Sequence, residues 1–164
     1  MTSLIVVADT TPLRYLVVIE REHLLPSLYG RVLIPPAVAE ELNHKSTPDV
    51  VRTWFAARPS WLEIRKPTRT LEPEVDLDEG EQQAIALAEE VVADLLLVDE
   101  WDARLEAERR HLRVVGTLRV LADGATRGLT DLEESFERLR HTNFRVSSEL
   151  LESLLEEYRR GKHE

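Results

Sequence analysis

The chain has 164 residues, 43% of them hydrophobic and 32% charged, which is the composition of a soluble globular protein of about one domain. It has no cysteine, so disulfide bonds and thiolate metal sites are excluded, and we expect a cytoplasmic protein. The net charge of −10 argues against a protein that coats nucleic acid by bulk electrostatics, although it is compatible with an enzyme that has a local basic patch and a metal ion.

The first part of the chain alternates short apolar runs with helical patterns. Thr10 or Thr11 is expected to cap the first helix, with Pro12 in its first turn. The polar stretch 66–79 is expected to be a loop. No apolar run is long enough to cross a bilayer, and the N-terminus lacks the pattern of a signal peptide. The predicted strands in this part are 4–8, 31–34 and 62–64, and the predicted helices are 10–20, 23–29, 36–42 and one from 49.

The same alternation continues through the rest of the chain. The pattern predicts a helix at 80–92, a strand at 95–98, a helix at 100–111, a strand at 114–115 and a helix at 117–126. A capping box at 130–133 opens another helix, and Ser147 begins a last one. That last helix carries an apolar stripe expected to pack against its own domain or a second subunit in a homodimer: Leu150, Leu151, Leu154, Leu155 and Tyr158.

Strands that are apolar throughout and that alternate with helices predict a parallel sheet covered on both faces. We therefore expect a three-layer α/β/α fold in a single domain spanning 1–164, with a core of about 1–128 and a C-terminal helical extension of about 129–164. Ligands of such sheets bind beyond the carboxyl ends of the strands.

Acidic residues collect at that edge of the predicted sheet. Asp9 and Asp99 each follow a buried strand, and Asp102 lies one helical turn after Asp99. Glu41 and Glu81 lie in helices that follow the strands, and Glu81 is on the side expected to face the sheet. Each acid alone has a structural explanation, because acids near helix starts interact favourably with the helix dipole. Their joint placement favours a common site.

A cluster of carboxylates needs a counter-charge, since two of them about 4 Å apart repel by roughly 4 kcal/mol at an effective dielectric of 20. Oxygen ligands without cysteine point to Mg²⁺ or Mn²⁺ rather than Zn²⁺. The five histidines lack the spacing of a histidine metal site, and we expect them on the surface: His23, His44, His111, His141 and His163. A carboxylate-held Mg²⁺ can activate water and stabilise a phosphodiester in transit, which is the chemistry of a metal-dependent nuclease.

Four segments together resemble the PIN domain, and the VapC-like branch of small prokaryotic PIN proteins in particular. In chain order they are V-V-A-D-T-T-P-L, I-P-P-A-V-A-E-E-L, G-E-Q-Q-A-I-A-L-A and L-L-L-V-D-E-W-D-A-R, within about the first 125 residues. The resemblance implies a fold similar to that of 5′-nucleases and an acidic pocket that binds Mg²⁺ or Mn²⁺. It further implies endoribonuclease activity on RNA and, for VapC toxins, inhibition by a cognate antitoxin.

The site residues are carried over from this resemblance position by position. Asp9 matches the first acid, Glu41 the second with Glu40 as the alternative, Glu81 the third and Asp99 the fourth. Asp102 matches a further, less constant acid, and Thr10 matches the hydroxyl residue that follows the first acid. Two departures stand out: Glu81 replaces the more usual aspartate, and L-V-D-E-W-D makes Asp99 and Asp102 competitors for one role.

The remaining candidates are residues for substrate binding. Arg14, Arg104 and Arg119 follow the strand ends by about a turn and are expected to contact phosphates, unless they are solvated or form salt bridges. Trp101, beside the acids, can stack on a base or pack in the core or an interface.

Three functions compete on this sequence. The first is a Mg²⁺- or Mn²⁺-dependent ribonuclease, as the toxin of a toxin–antitoxin pair or otherwise. The second is a catalytically silent PIN-fold module that binds RNA or a protein partner. The third is a phosphotransferase with Asp9 as nucleophile, which the absence of a D-x-D motif disfavours, because Thr11 stands where the second aspartate would be.

Overall fold

The structure, a computed structural model, describes residues 4–162. It shows a five-stranded parallel sheet in the order β3-β2-β1-β4-β5 with helices on both faces, which confirms the predicted three-layer α/β/α fold. His163 and the first and last residues of the predicted domain lie outside the described residues. The strands are β1 (Val6–Ala8), β2 (Val32–Ile34), β3 (Leu62–Ile64), β4 (Leu95–Leu97) and β5 (Val114–Val115).

Nine helices occur within residues 4–162. None of them is long and apolar enough to cross a membrane. They are α1 (Thr10–Val18), α2 (Leu24–Tyr29), α3 (Pro36–Leu42), α4 (Asp49–Ala56), α5 (Glu79–Glu90), α6 (Trp101–Arg109), α7 (Thr117–Thr126), α8 (Leu132–Arg140) and α9 (Ser148–Lys162).

The strand order reverses next to β1, and this reversal creates the crevice in which a parallel sheet binds its ligands. The chain runs outward from β1 through β2 to β3, and then returns to place β4 on the other side of β1. β1 pairs with β2 through Val6 and Val32, and with β4 through Val7 and Leu96. The backbone N–H of Asp9 extends this second pairing by donating to the carbonyl of Leu97 at 2.9 Å.

Alternating side chains of the strands supply two separate cores, one on each face of the sheet. Val6, Ala8 and Leu97 face a large cluster that includes residues from α1 to α4 and α7 to α9. Val7 and Leu96 face a smaller cluster formed with α5 and α6. Since both faces of the central strands are covered, β1 and the inner part of β4 are apolar throughout, as the sequence indicates.

Several element ends lie one or two residues from the predicted bounds, and three of these differences concern where an element begins or which residue caps it. β1 begins at Val6, and Ile5 is 41% exposed. Thr10 is the first residue of α1, so Asp9 rather than Thr10 or Thr11 occupies the N-cap position. α8 is capped by Asp131, which accepts a hydrogen bond from the backbone N–H of Glu134 at 2.8 Å, so the predicted cap is one residue too early. At the two helix starts, adjacent residues can each act as the cap, so the sequence pattern alone does not decide which of them does.

The C-terminal helices pack on the large core cluster. Leu151 and Leu155 of α9 are buried beside Phe136 of α8 and residues of the central layers. The hydroxyl of Tyr158 donates a hydrogen bond to the carbonyl of Ala125 at 3.3 Å. Leu150, the first residue of the predicted stripe, is 46% exposed and remains free for another contact. The stripe is therefore divided between packing and surface.

We predict that Leu151→Ala lowers the free energy of unfolding by about 2–5 kcal/mol, because it removes a fully buried side chain and leaves a cavity between α9 and the core. Leu150→Ala is the matched control, since it removes the same atoms from a neighbouring exposed position and should change stability by less than about 0.5 kcal/mol. Denaturant unfolding of both variants measures the difference. Equal stability of the two variants would show that α9 does not pack on the core.

Candidate functional site

Asp9 lies at the carboxyl end of β1 and is buried, with only 4% of its surface exposed. It occupies the N-cap position of α1, yet its side chain accepts no capping hydrogen bond from that helix. Burial raises the pKa of its carboxyl well above the ordinary value, the adjacent Thr10 N–H lowers it in part, and the charges of Asp78, Glu81 and Glu41 raise it further. Helix capping therefore does not account for this aspartate.

Glu41 reaches the same edge of the sheet from the last turn of α3. A methyl group on Gly80 would stand 2.6 Å from Glu41 Oε1, so the glycine allows the carboxylate to lie against the start of α5. Burial raises the pKa of Glu41, the facing Thr10 hydroxyl lowers it, and the charge of Asp78 raises it. Thr47 fixes the backbone here by donating to the Glu41 carbonyl at 2.6 Å. Its neighbour Glu40 is exposed.

Glu81 and Asp78 form a capping box at the start of α5. Asp78 Oδ1 accepts from the Glu81 N–H at 2.7 Å, and Glu81 Oε1 accepts from the Asp78 N–H at 3.0 Å. Glu81 is nonetheless 8% exposed, as expected for a side chain directed at the sheet. Burial first, and then the charges of Asp78, Glu100 and Glu41, raise its pKa to about 7, against the lowering effect of the Asp78 N–H. The capping role and the acidic cluster coexist.

The loop that delivers Asp78 is anchored far from the site. Glu106 of α6, whose side chain is 1% exposed, accepts a hydrogen bond from the Glu74 N–H at 3.1 Å and pairs with Arg109 and with Arg110. Arg110 also donates to the carbonyl of Glu72 at 3.2 Å. These bonds fix the polar loop before α5 and with it the start of the helix that carries Glu81.

Asp99 follows β4 and is held by a different set of partners. Its Oδ1 accepts from the Thr117 N–H at 2.8 Å, and its Oδ2 accepts from the Thr117 hydroxyl at 2.7 Å. A methyl group on Gly116 would stand 2.8 Å from Asp99 Oδ1 and 3.0 Å from Arg104 Nη1, so the guanidinium lies beside the carboxylate. Burial raises the pKa of Asp99, while Thr117 and Arg104 lower it.

A cavity of about 940 Å³ opens beside these acids. Asp9 and Glu41 are not among the residues that line it, and neither is Asp102, which is exposed on the first turn of α6. The predicted substrate-binding residues Arg14 and Arg104 do line it. Other lining residues named in the sequence analysis are Glu81, Asp99, Trp101 and Arg119. Two further acids that the prediction lacked, Asp78 and Glu100, line it as well.

Asp78, Glu100 and Thr117 were not assigned to the site from the sequence. Asp78 lies in the stretch 66–79 that is expected to be a loop, although D-E-G-E before an apolar helix carries the signal of an N-cap three residues before Glu81. Thr117 opens α7 directly after β5, and a hydroxyl at a strand's carboxyl end beside another strand's aspartate is the signal that could have identified it.

The donor chemistry fits a divalent cation. The carboxyls of Asp9, Glu41 and Glu81 all have raised pKa values, and the charged side chains that act most strongly on them are other acids. A hard cation would relieve this repulsion through oxygen ligands. Within residues 4–162, no three histidine or acidic side chains converge closely enough to hold an ion as they stand, so binding requires the carboxylates to turn toward one another.

Comparison with known families decides the fold family. The sequence model of the family described as DUF3368, a PIN domain, matches residues 5–160. The chain belongs to the PIN-domain family. The match includes α8 and most of α9, beyond the first 125 residues that carry the resemblance by motif. PIN domains are generally nucleases, and they typically use divalent metal ions.

Solved structures give the same fold, whereas curated proteins give no match. This PIN domain is similar to a PilT N-terminus domain protein from the hyperthermophilic archaeon Sulfolobus solfataricus P2, with a TM-score of 0.50 and 18% sequence identity. The superposition covers 87% of this chain and 100% of the archaeal chain. At this identity the likeness establishes the shared fold.

We predict that Glu81→Gln stabilises the metal-free PIN domain at pH 8 by up to about 3 kcal/mol. Burial raises the pKa of Glu81 from 4.5 to about 7, so its contribution to stability is complete below pH 4.5 and is lost as the pH rises toward 7. Glutamine keeps an oxygen that can accept from the Asp78 N–H. Denaturant unfolding in EDTA at pH 4 and pH 8 measures the effect.

The solvent-exposed Glu79→Gln, on the same turn of α5, is the control for Glu81→Gln. The difference between the two variants should vanish near pH 4, where Glu81 is protonated in both the folded and unfolded chain. A constant difference at both pH values would contradict a raised pKa at Glu81.

Proposed function

We propose that the chain is an endoribonuclease that uses Mg²⁺ or Mn²⁺ to hydrolyse RNA phosphodiester bonds. One observation carries the proposal: Asp9 is buried at the switch point of the sheet, makes no capping bond, and lies among Glu41, Asp78 and Glu81. A fold does not maintain such repulsion for stability, because an uncompensated buried carboxylate costs free energy. A site for a cation accounts for it.

Asp9, Glu81 and Asp99 are the proposed metal ligands. Glu41 is proposed to complete the acidic cluster beside the Thr10 hydroxyl, a buried group that has no hydrogen-bond partner among the described residues. A divalent cation bound there supplies activation of water and stabilisation of charge on the phosphodiester. Thr117 keeps Asp99 oriented by two hydrogen bonds. Asp102, which is exposed on α6 and does not line the cavity, is the alternative to Asp99 for this ligand role.

Substrate phosphates are proposed to contact Thr10, Arg14 and Arg104, of which the two arginines line the cavity and Thr10 does not. Arg104 lies beside Asp99, and both arginines line the cavity, so a phosphate beside the acids would have cations within reach. Guanidinium groups match phosphate oxygens in geometry and in charge. This placement of cations next to carboxylates suits a phosphodiester that approaches an acidic metal site.

The toxin role and a cognate antitoxin are the finer part of the proposal, and the VapC-like sequence resemblance is their only support. Cytoplasmic location and a homodimer are likewise expectations. The toxin role would be supported if a neighbouring reading frame encodes a small DNA-binding protein, and if that protein co-purifies with this chain and blocks its cleavage of RNA.

A second candidate is a catalytically silent PIN-fold module that binds RNA or a protein. It is favoured by the arrangement of the acids, since no three of them converge within the described residues, and by Glu81 at a position where aspartate is usual. Metal binding separates the two candidates.

We predict that Asp9→Asn abolishes Mn²⁺-dependent cleavage of single-stranded RNA and the heat of Mn²⁺ binding, because it removes the buried ligand. Metal-free melting should show an unchanged or higher Tm, since the substitution also removes repulsion with Glu41 and Glu81. Calorimetric titration and a cleavage assay measure these outcomes. Wild-type protein without any Asp9-dependent metal binding would favour the silent module, and a marked fall in Tm would favour a purely structural Asp9.

We further predict that two matched pairs of variants distinguish the acids of the site from the alternatives that the sequence offers. Glu41→Gln and Asp99→Asn should each reduce cleavage by more than about a hundredfold, since even residues that only orient metal ligands typically contribute 10–100-fold. Their adjacent or nearby controls, Glu40→Gln and Asp102→Asn, remove the same charge from exposed positions and should retain most activity. The reverse order within either pair would assign the role to Glu40 or to Asp102 instead.

A further inference from the structure

The cavity continues past the acids, and its far wall comes from the C-terminal part of the chain. Asn143, Phe144, Arg145 and Val146, which connect α8 to α9, line it together with Leu150 of α9. These residues have no part in the acidic cluster. They form one wall of a cavity of about 940 Å³, which also has lining residues from α1, α6 and α7 and is large enough for a short stretch of nucleic acid.

The connecting segment has a defined position relative to the acids. The Tyr15 hydroxyl donates to Asn143 Oδ1 at 2.6 Å, and the rings of Tyr15 and Phe144 meet edge to face with centroids 5.0 Å apart. The Phe144 N–H donates to the Thr142 hydroxyl at 3.1 Å. Because Tyr15 belongs to α1, which begins directly after Asp9, these contacts anchor the segment that carries Arg145 to the helix that follows this acid.

Acids and arginines both line the cavity. The acids lie at the start of α5 and after β4: Asp78, Glu81, Asp99 and Glu100. The arginines come from α1, α6, α7 and the connecting segment: Arg14, Arg104, Arg119 and Arg145. Arg104 lies beside Asp99 and Arg119 pairs with Asp123, whereas Arg14 and Arg145 form no ion pair within residues 4–162. In a chain of net charge −10, these two arginines supply local positive charge for a phosphate.

Trp101 supplies an aromatic face on the same cavity. It is the first residue of α6 and is 68% exposed, although burial of so large an apolar side chain would be favourable. An exposed indole beside arginines is the combination with which proteins bind unpaired bases and the backbone between them.

We propose that the Asn143–Val146 segment is a substrate-binding wall for single-stranded RNA, with Arg145 contacting a backbone phosphate and Trp101 stacking on an unpaired base. This deepens, and rests on, the proposed function, since the strand would place its scissile phosphate at the acids. A single strand is favoured over a helical protein partner because cations and an exposed indole face the cavity alongside its apolar residues. A duplex would keep its bases inaccessible to Trp101.

The test measures binding of a short fluorescently labelled single-stranded RNA by anisotropy, with every variant made in the Asp9→Asn background in Mg²⁺ buffer so that cleavage does not interfere. Arg145→Ala should weaken binding by roughly fivefold to tenfold. It should also reduce the slope of log affinity against log salt by about 0.7, the value for one lost phosphate contact on a single strand.

Arg113→Ala is the matched control, because Arg113 is exposed and precedes β5 at the amino-terminal edge of the sheet, opposite the acids. It removes the same charge and should leave affinity and salt slope nearly unchanged. Trp101→Ala should weaken binding by about fivefold or more, and duplex RNA of the same sequence should bind more weakly than the single strand. Both Arg145 and Trp101 are exposed, so unchanged Tm values are expected for these variants.

Equal effects of Arg145→Ala and Arg113→Ala would overturn the proposal, as would duplex binding as tight as single-strand binding or the absence of measurable RNA binding. These results are distinct from failure of the proposed function, which is measured by Asp9-dependent cleavage and metal binding in the otherwise unsubstituted chain. If cleavage of RNA depends on Asp9 but RNA binding does not depend on Arg145, the proposed function stands and the proposed RNA-binding role of the Asn143–Val146 segment is wrong.

Discussion

Repulsion among carboxylates at the switch point of the sheet is the constraint on which the site depends. The parallel pairing of β1 with β4 fixes the backbone of Asp9 through its bond to Leu97, and the capping box fixes Glu81 at the start of α5. Neither device neutralises the acids it positions. Backbone hydrogen bonds therefore hold like charges close together, an arrangement that a bound cation would stabilise.

The two halves of the site differ in how they are compensated. Asp99 has two hydrogen bonds from Thr117 and the guanidinium of Arg104 beside it, whereas Asp9 and Glu81 are surrounded by other acids. A cation would consequently gain most free energy on the side of Asp9 and Glu81. Asp99, held in place by Thr117 at the start of α7, offers a ligand whose orientation does not depend on the metal.

The sequence was sufficient for the parallel sheet and for the acids that follow its strands, because strand ends and apolar runs are local features. Asp9 and Asp99 could be placed at one edge since the carboxyl ends of parallel strands meet there. Thr117 and Asp78 carry local signals of a strand-end hydroxyl and an N-cap, but their place in the site depends on which strand lies beside β4 and on the path of a polar loop anchored by Glu106. The shift of the predicted cap to Asp131 has a local cause, as neighbouring residues were equally able to cap.

The C-terminal helices contribute both to the hydrophobic core and to the cavity beside the acids. Leu151 and Leu155 pack into the large core, while Leu150 remains on the surface, beside the cavity that the acids share. Tyr15 connects the C-terminal part of the chain to the acidic site. Its ring packs on Phe144, its hydroxyl donates to Asn143, and its helix follows Asp9. A segment that contributes no acid is thereby tied to the acidic site through one helix, so its sequence can alter what enters the cavity without altering the carboxylates.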